Sequence, residues 1–334
     1  MESLSTRYRP TNFSQVIGQD TLVKIFEKQI ETNNFKNCML LVGPSGTGKT
    51  TIARIFANEI NNNLGEPIEI DGASNNSVDN VRMITELANE RSLDSTYKVF
   101  IIDECHQITS AGWNAFLKCI EEPPKYTIFI FCTTELQKVP QTIVNRCQMF
   151  KLKRVSDKDI LDRLKYICNN ENINGQDGLE LIAKISHGSM RQAISYLDKC
   201  KDYSNDITID NVTKCLGNYS YDVFFKLTNY IIDGDKKSIL ILLDTLYNDG
   251  LDLKLFISEY FEFILQLLKY IIFTDVNVIN IPSSYEDSIK YTINIDGAEK
   301  FFNLLLDRVL KIKQLIKGDD DIKTTIAVML LNNN

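Results

Sequence analysis

"GPSGTGKT", residues 43–50, is the stretch on which the fold turns. It matches G-x-x-x-x-G-K-[ST] in the context that gives the pattern meaning. "CMLLVG" (38–43) before it reads as a buried strand, and 49–61 after it as a helix. Gly46 and Gly48 let the backbone curl until several N–H groups face a phosphate, and the helix N-terminus adds its dipole. Lys49 brings a point charge to the β and γ phosphates of a nucleoside triphosphate, and Thr50 offers a hydroxyl to Mg²⁺. Gly43, Pro44, Ser45, Thr47 and Thr51 complete the expected cradle.

Outward from this loop, strands and helices alternate. "PIEID" (67–71), "KVFIID" (98–103) and "TIFIFCTT" (127–134) read as further strands, β-branched and aromatic in the manner of buried parallel strands. Helical periodicity falls between them, at 20–33, 77–90 and 110–121. The alternation predicts an α/β fold with a parallel sheet covered on both faces. From residue 156 the strands stop. "SDKDILDRLKYICNNE" opens on a capping serine with acidic first-turn residues, and "GLELIAKISHG" and "SMRQAISYLDKC" read as two more helices. The remainder reads as helical, with an irregular stretch at "DVNVINIPSSYED" (275–287).

Composition narrows the function. Among 334 residues, 37 are Lys or Arg and 44 are Asp or Glu, a net charge of −7. Such a chain is no general polyanion binder, so any nucleic-acid contact must come from a local patch or from several subunits together. The eight cysteines form no CxxC pair and there are only two histidines, so no zinc is expected; scattered thiols suit a reducing, cytoplasmic compartment. The N-terminus has no apolar signal core. The most apolar stretch, 255–273, carries Glu259, Glu262 and Lys269, which predicts a buried helix and not a membrane span.

Chemistry clusters at the strand ends. "VFIIDECH" (99–106) closes a strand on Asp103, which can reach the Mg²⁺ shell, and Glu104, which can orient or deprotonate a water. His106 reads as a helix-starting hydrogen-bond residue. Thr134 ends another strand where it could bond the attacking water. Arg191, at the start of a helix, could lean over the triphosphate.

In their order, "STRYRPTNFSQVIGQD", "GPSGTGKTTIAR", "EIDGASNNSVDNVR", "IIDECHQITSAGWNAFLKCIEEPP", "TTELQKVPQTIVNRCQMFKL" and "HGSMRQAIS" resemble the sliding-clamp loader ATPases of the AAA+ class. The likeness is to the gamma/tau subunits of bacterial DNA polymerase III and, more distantly, to the small subunits of replication factor C. It covers residues 3 to about 197. It implies a RecA-like AAA+ module over 1–152, a helical lid over 153–217 and an all-α collar over 218–334. It also implies ATP and Mg²⁺ as cofactors, with Thr50 and Asp103 toward the metal, and a DNA- and clamp-stimulated ATPase in DNA replication. Partners would be a sliding clamp, primer-template DNA and other loader subunits in a ring, expected to be pentameric, whether copies of this chain or not. Tyr8, Arg9, Pro10, Val16 and Ile17 become base-pocket candidates. Lys49, Asp103, Glu104, Thr134 and Arg191 fall on the Walker A, Walker B, sensor 1 and sensor 2 positions. Arg146, in "QTIVNRC" (141–147), becomes an arginine finger for a neighbouring subunit.

The sequence departs from the resemblance in places. The four-cysteine zinc module usual in the bacterial family is missing from "NEINNNLGEPIEID" (58–71), and Ser-Arg-Cys reads Asn145-Arg146-Cys147. Asn75, Asn76 and Ser77 stand where DNA-facing basic residues are common. Without a long C-terminal extension, a minimal loader is expected, such as a viral one acting in host cytoplasm. Two other readings stay open: a non-catalytic scaffold subunit of the same machine, and another DNA-acting AAA+ ATPase such as a branch-migration motor.

Overall fold

A computed structural model describes residues 2–216, 221–248, 252–315 and 322–331. The chain forms two compact units, Met1–Asn172 with Ile185–Asp198, and Ile173–Lys184 with Lys199–Asn334. The residues expected to form the lid fall in both units, and the expected boundary at 217–218 lies outside the described residues.

The first unit is built on a parallel five-stranded sheet, β1 (Cys38–Val42), β2 (Ile68–Asp71), β3 (Lys98–Asp103), β4 (Thr127–Thr133) and β5 (Gln148–Lys151), in the order β2-β3-β4-β1-β5. Side chains of a strand alternate between faces, and here both faces are dry. Met39 and Leu41 of β1 join Ile101, Ile130 and Phe56 on one face; Cys38 and Leu40 join Phe100, Phe129, Phe131 and Trp113 on the other. This is why the central strands read as unbroken apolar runs. β2 differs: an edge strand, it leaves Ile68 more than a third exposed. β5 is a strand the sequence reading did not anticipate. Only four residues long and buried at Phe150 alone, it pairs with β1 in the register Met39↔Gln148 to Val42↔Lys151.

Helices α1 (Leu4–Arg7), α2 (Asp20–Glu31), α3 (Lys49–Ile60), α4 (Val78–Ala88), α5 (Ser110–Glu121), α6 (Gln141–Val144) and α7 (Asp157–Glu171) belong to the same unit, and α2 to α6 supply the apolar side chains that cover the sheet. Side-chain caps start three of them. Ser77, Thr109 and Ser156 accept from Asn80 N, Gly112 N and Asp159 N, satisfying donors that the first turn leaves orphaned. From α3 the chain turns into β2 through Asn62 and Asn63, both left-handed, a conformation asparagine tolerates. α8 (Leu179–Ile185) and α9 (Met190–Tyr203) follow.

In the second unit, α10 (Ile209–Leu216), α11 (Tyr221–Ile232), α12 (Lys236–Asn248), α13 (Leu253–Phe273), α14 (Glu286–Ile293), α15 (Ala298–Leu315) and α16 (Ile322–Leu331) form a helical assembly. Its centre is α13, whose Phe256, Tyr260, Phe263 and Leu267 pack with Phe224 of α11 and Phe302 and Val309 of α15. The buried Tyr260 hydroxyl lies 3.0 Å from Thr228 Oγ1, which meets its need for a partner. Residues 275–287 form two short 3₁₀ turns and the start of α14. Among the described residues, no helix is long and apolar enough to cross a membrane.

Candidate nucleotide-binding site

The loop between β1 and α3 is wound for an anion. Gly46 and Gly48 have φ of +73° and +100°, which only glycine adopts without strain. A Cβ on Gly46 would also meet Ser189 Oγ at 2.0 Å, so the start of α9 closes directly on the loop. Lys49, the first residue of α3, is buried, and its ammonium donates to the carbonyls of Gly43 (2.9 Å) and Pro44 (3.0 Å). Thr50 Oγ1 donates to Asp103 Oδ2 at 2.5 Å, joining the first turn of α3 to the end of β3. A hydroxyl and a carboxylate so close, from two rigid elements, are a hard-oxygen pair that fits Mg²⁺.

A cavity of about 250 Å³ opens above this floor. Ser45, Gly46, Thr47, Gly48, Lys49, Thr50, Thr51, Asp103 and Glu104 line its phosphate-loop side; Tyr8, Arg9, Pro10, Val16 and Ile17 line another wall; Arg191 lies on its α9 side. Arg9 Nε donates to Thr51 Oγ1 at 3.1 Å, which ties this arginine to the first turn of α3. Burial, then the neighbouring Arg54, holds its guanidinium below the ordinary value. Tyr8 Oη donates to Glu171 Oε1 at 2.8 Å, and burial raises its phenol above the usual range.

Some wall residues are not among the expected ones. Arg163 of α7 reaches the cavity and donates from Nη2 to the Tyr8 carbonyl at 2.9 Å. Met190 and Ile194 join Arg191 from α9, and Val155 adds an apolar contact. Helical spacing puts residues 190, 191 and 194 on adjoining faces, a signal the sequence held.

Four expected site residues stand off the cavity wall. Gly43 and Pro44 contribute the carbonyls that hold Lys49. Thr134 Oγ1 donates to Glu104 Oε2 at 3.3 Å, touching the carboxylate. Arg146, after α6, is bound to its own chain: Nη2 lies 2.7 Å from Glu121 Oε1, and Nη1 donates to the Thr142 carbonyl at 2.8 Å. His106 is part of a short 3₁₀ turn, its ring between the carboxylates of Glu104 and Glu135. At the N-terminus of α4, Asn76 O accepts from Thr109 Oγ1 at 3.0 Å, which joins the starts of α4 and α5. All eight cysteines are free thiols; burial pushes Cys105 and Cys132 well above the usual range, leaving them inert.

A parallel sheet in this strand order, a phosphate loop between β1 and α3, and an Asp-Glu pair closing β3 define a RecA-like AAA+ nucleotide-binding module. The fold is shared with Thermotoga maritima RuvB, the Holliday junction branch migration motor, at a TM-score of 0.54 and 22% identity, covering 73% of this chain and 86% of that one. Residues 65–156 match the profile of the family described as DNA polymerase III, delta subunit. DNA polymerase III subunit gamma of Buchnera aphidicola subsp. Schizaphis graminum is 32% identical over 87% of this chain and 89% of its own. Subunit gamma/tau of Mycoplasma genitalium is 33% identical over 87% of this chain, and subunit tau of Bacillus subtilis 34% over 80%; the match spans about half of each of those longer proteins, 52%. The chain belongs to the DNA polymerase III gamma/tau family.

Proposed function

We propose that this protein is an ATP-driven motor subunit of a sliding-clamp loader, acting in the cytoplasm in DNA replication. The observation that carries the reading is the meeting of Lys49, Thr50, Asp103 and Glu104 at one cavity, in a chain that matches a gamma subunit over nearly its whole length. Lys49 binds the β and γ phosphates, taking leave of the Gly43 and Pro44 carbonyls. The backbone N–H groups of residues 45–48 cradle the chain of phosphates. Tyr8, Pro10, Val16 and Ile17 enclose the base, and Arg9 and Arg191 add charge from two sides. Thr50 and Asp103 would hold a Mg²⁺, which would supply charge to neutralise the phosphates. Glu104 takes a proton from the attacking water while Thr134 steadies its carboxylate. Arg146 serves the site of a neighbouring subunit.

ATP binding assembles the subunits into a ring, here proposed to have five members, that opens a clamp and grips primer-template DNA through surfaces that include Asn75, Asn76 and Ser77. Hydrolysis releases both. Residues 1–152 are the motor, 153–217 a lid and 218–334 a collar. ATPase rates with clamp alone, primed DNA alone and both together test this. The expected result is stimulation by DNA that grows when clamp is present; a rate indifferent to both overturns it.

A further inference from the structure

Between the strand ends sits a side chain that the proposed chemistry does not use. His106 follows the left-handed Glu104 (φ 45°) in a 3₁₀ turn, and its side chain is only 5% exposed. Nδ1 lies 3.1 Å from Thr133 Oγ1 and 3.3 Å from Glu104 Oε2; Nε2 lies 3.3 Å from Glu135 Oε1 and 3.2 Å from Gln107 Nε2. Thr133, completely buried at the end of β4, also accepts from Glu135 N at 3.0 Å. The ring is therefore seated on β4, and it presents one nitrogen to each of two carboxylates.

We propose that His106 is a positioning residue for Glu104, an inference that rests on the hydrolytic role given to Glu104 above. Carboxylate oxygens only accept, so an N–H on Nδ1 can bond Glu104 only by donating. Oε2 of Glu104 then accepts from Thr134 Oγ1 at 3.3 Å and also lies 3.3 Å from Nδ1, whose N–H is shared between it and Thr133 Oγ1 at 3.1 Å. Oε1 has no hydrogen-bond partner among the described residues, and Glu104 lines the cavity. A carboxylate clamped by one oxygen turns the other toward a water in a fixed direction, which is what a general base requires. Without the ring, the side chain swings about a backbone already in a conformation unusual for glutamate. A neutral imidazole has one N–H: on Nε2 it serves Glu135, and on Nδ1 it is shared by Thr133 and Glu104, so the proton on Nδ1 is the one that serves hydrolysis.

The test uses the full chain with clamp and primed DNA, and variants His106→Ala, His106→Asn and His106→Gln beside Glu104→Gln. An asparagine amide reaches the place of Nδ1; a glutamine amide reaches that of Nε2. The expected result is that His106→Ala lowers kcat about 10- to 100-fold, the usual scale for groups that orient a reacting side chain, with KM for ATP and ATP affinity unchanged. His106→Asn recovers much of the rate and His106→Gln does not. Equal rates for all three variants and the wild type, with Glu104→Gln inactive, overturn the positioning role alone. Recovery by glutamine in place of asparagine overturns it too, because Glu135 is then the partner that matters. Wild-type turnover that Glu104→Gln leaves untouched overturns the hydrolytic reading itself, and His106 with it.

Discussion

Arg146 and Glu121 form a half-exposed ion pair, Nη2 to Oε1 at 2.7 Å, that holds the arginine at the surface of its own subunit and away from the cavity wall. Such a surface pair contributes about 0–1 kcal/mol to stability, so in the proposed ring a triphosphate on a neighbouring subunit would displace Glu121 from the guanidinium. Arg146→Ala is expected to bind ATP normally and to hydrolyse it about 10³-fold more slowly in the assembled ring. Mixing it with Lys49→Ala subunits, which keep Arg146, restores part of the rate. Confirmed assembly without rescue would show that the arginine does not act across the boundary.

Lys49 and Glu104 separate binding from chemistry. Lys49→Ala removes a buried cation at the phosphate loop and should weaken ATP binding by at least about 2 kcal/mol, or roughly 30-fold. Glu104→Gln keeps the shape but loses the base; binding persists while hydrolysis falls about 10²- to 10⁴-fold. Fluorescent-nucleotide titration beside single-turnover hydrolysis distinguishes the two, and a binding defect in Glu104→Gln would contradict the division of labour.

Gly46→Ala places a Cβ at a left-handed position, 2.0 Å from Ser189 Oγ. The backbone strain alone costs about 1–2 kcal/mol, and the loop must also back away from α9. ATP affinity is expected to fall at least about tenfold with near-normal circular dichroism. An unchanged dissociation constant would mean that the loop adopts another shape when nucleotide binds.

Stability should depend on pH through Glu259 of α13. Burial raises its carboxyl from 4.5 to about 7. In the folded chain the group then holds a proton that the unfolded chain has released, so its contribution to stability is full below pH 4.5 and is lost as the pH rises toward 7. Partial exposure screens the effect to on the order of 1 kcal/mol. Glu259→Gln should flatten this window in urea melts at pH 5 to 8 and leave the variant the more stable protein at pH 8. The same slope in both proteins would assign the dependence elsewhere.

The amino-acid sequence alone determined the sheet's central strands, the phosphate loop and the Asp103-Glu104 pair, because each is written in consecutive residues. An apolar run buried on two faces, a glycine-lysine turn and a carboxylate after a strand are local patterns governed by local physics. β5 is not legible in the sequence, because four residues at a sheet edge, one of them buried, carry too little periodicity to stand out. The tertiary structure alone decided that Arg163 reaches the nucleotide cavity from α7, that Thr134 touches Glu104 and does not line the cavity, and that His106 bridges Glu104 and Glu135. Those relations join residues distant in the chain or set apart by a left-handed backbone turn. They exist only because a parallel sheet carries its strand ends to one edge, where side chains with no motif in common come within hydrogen-bonding distance.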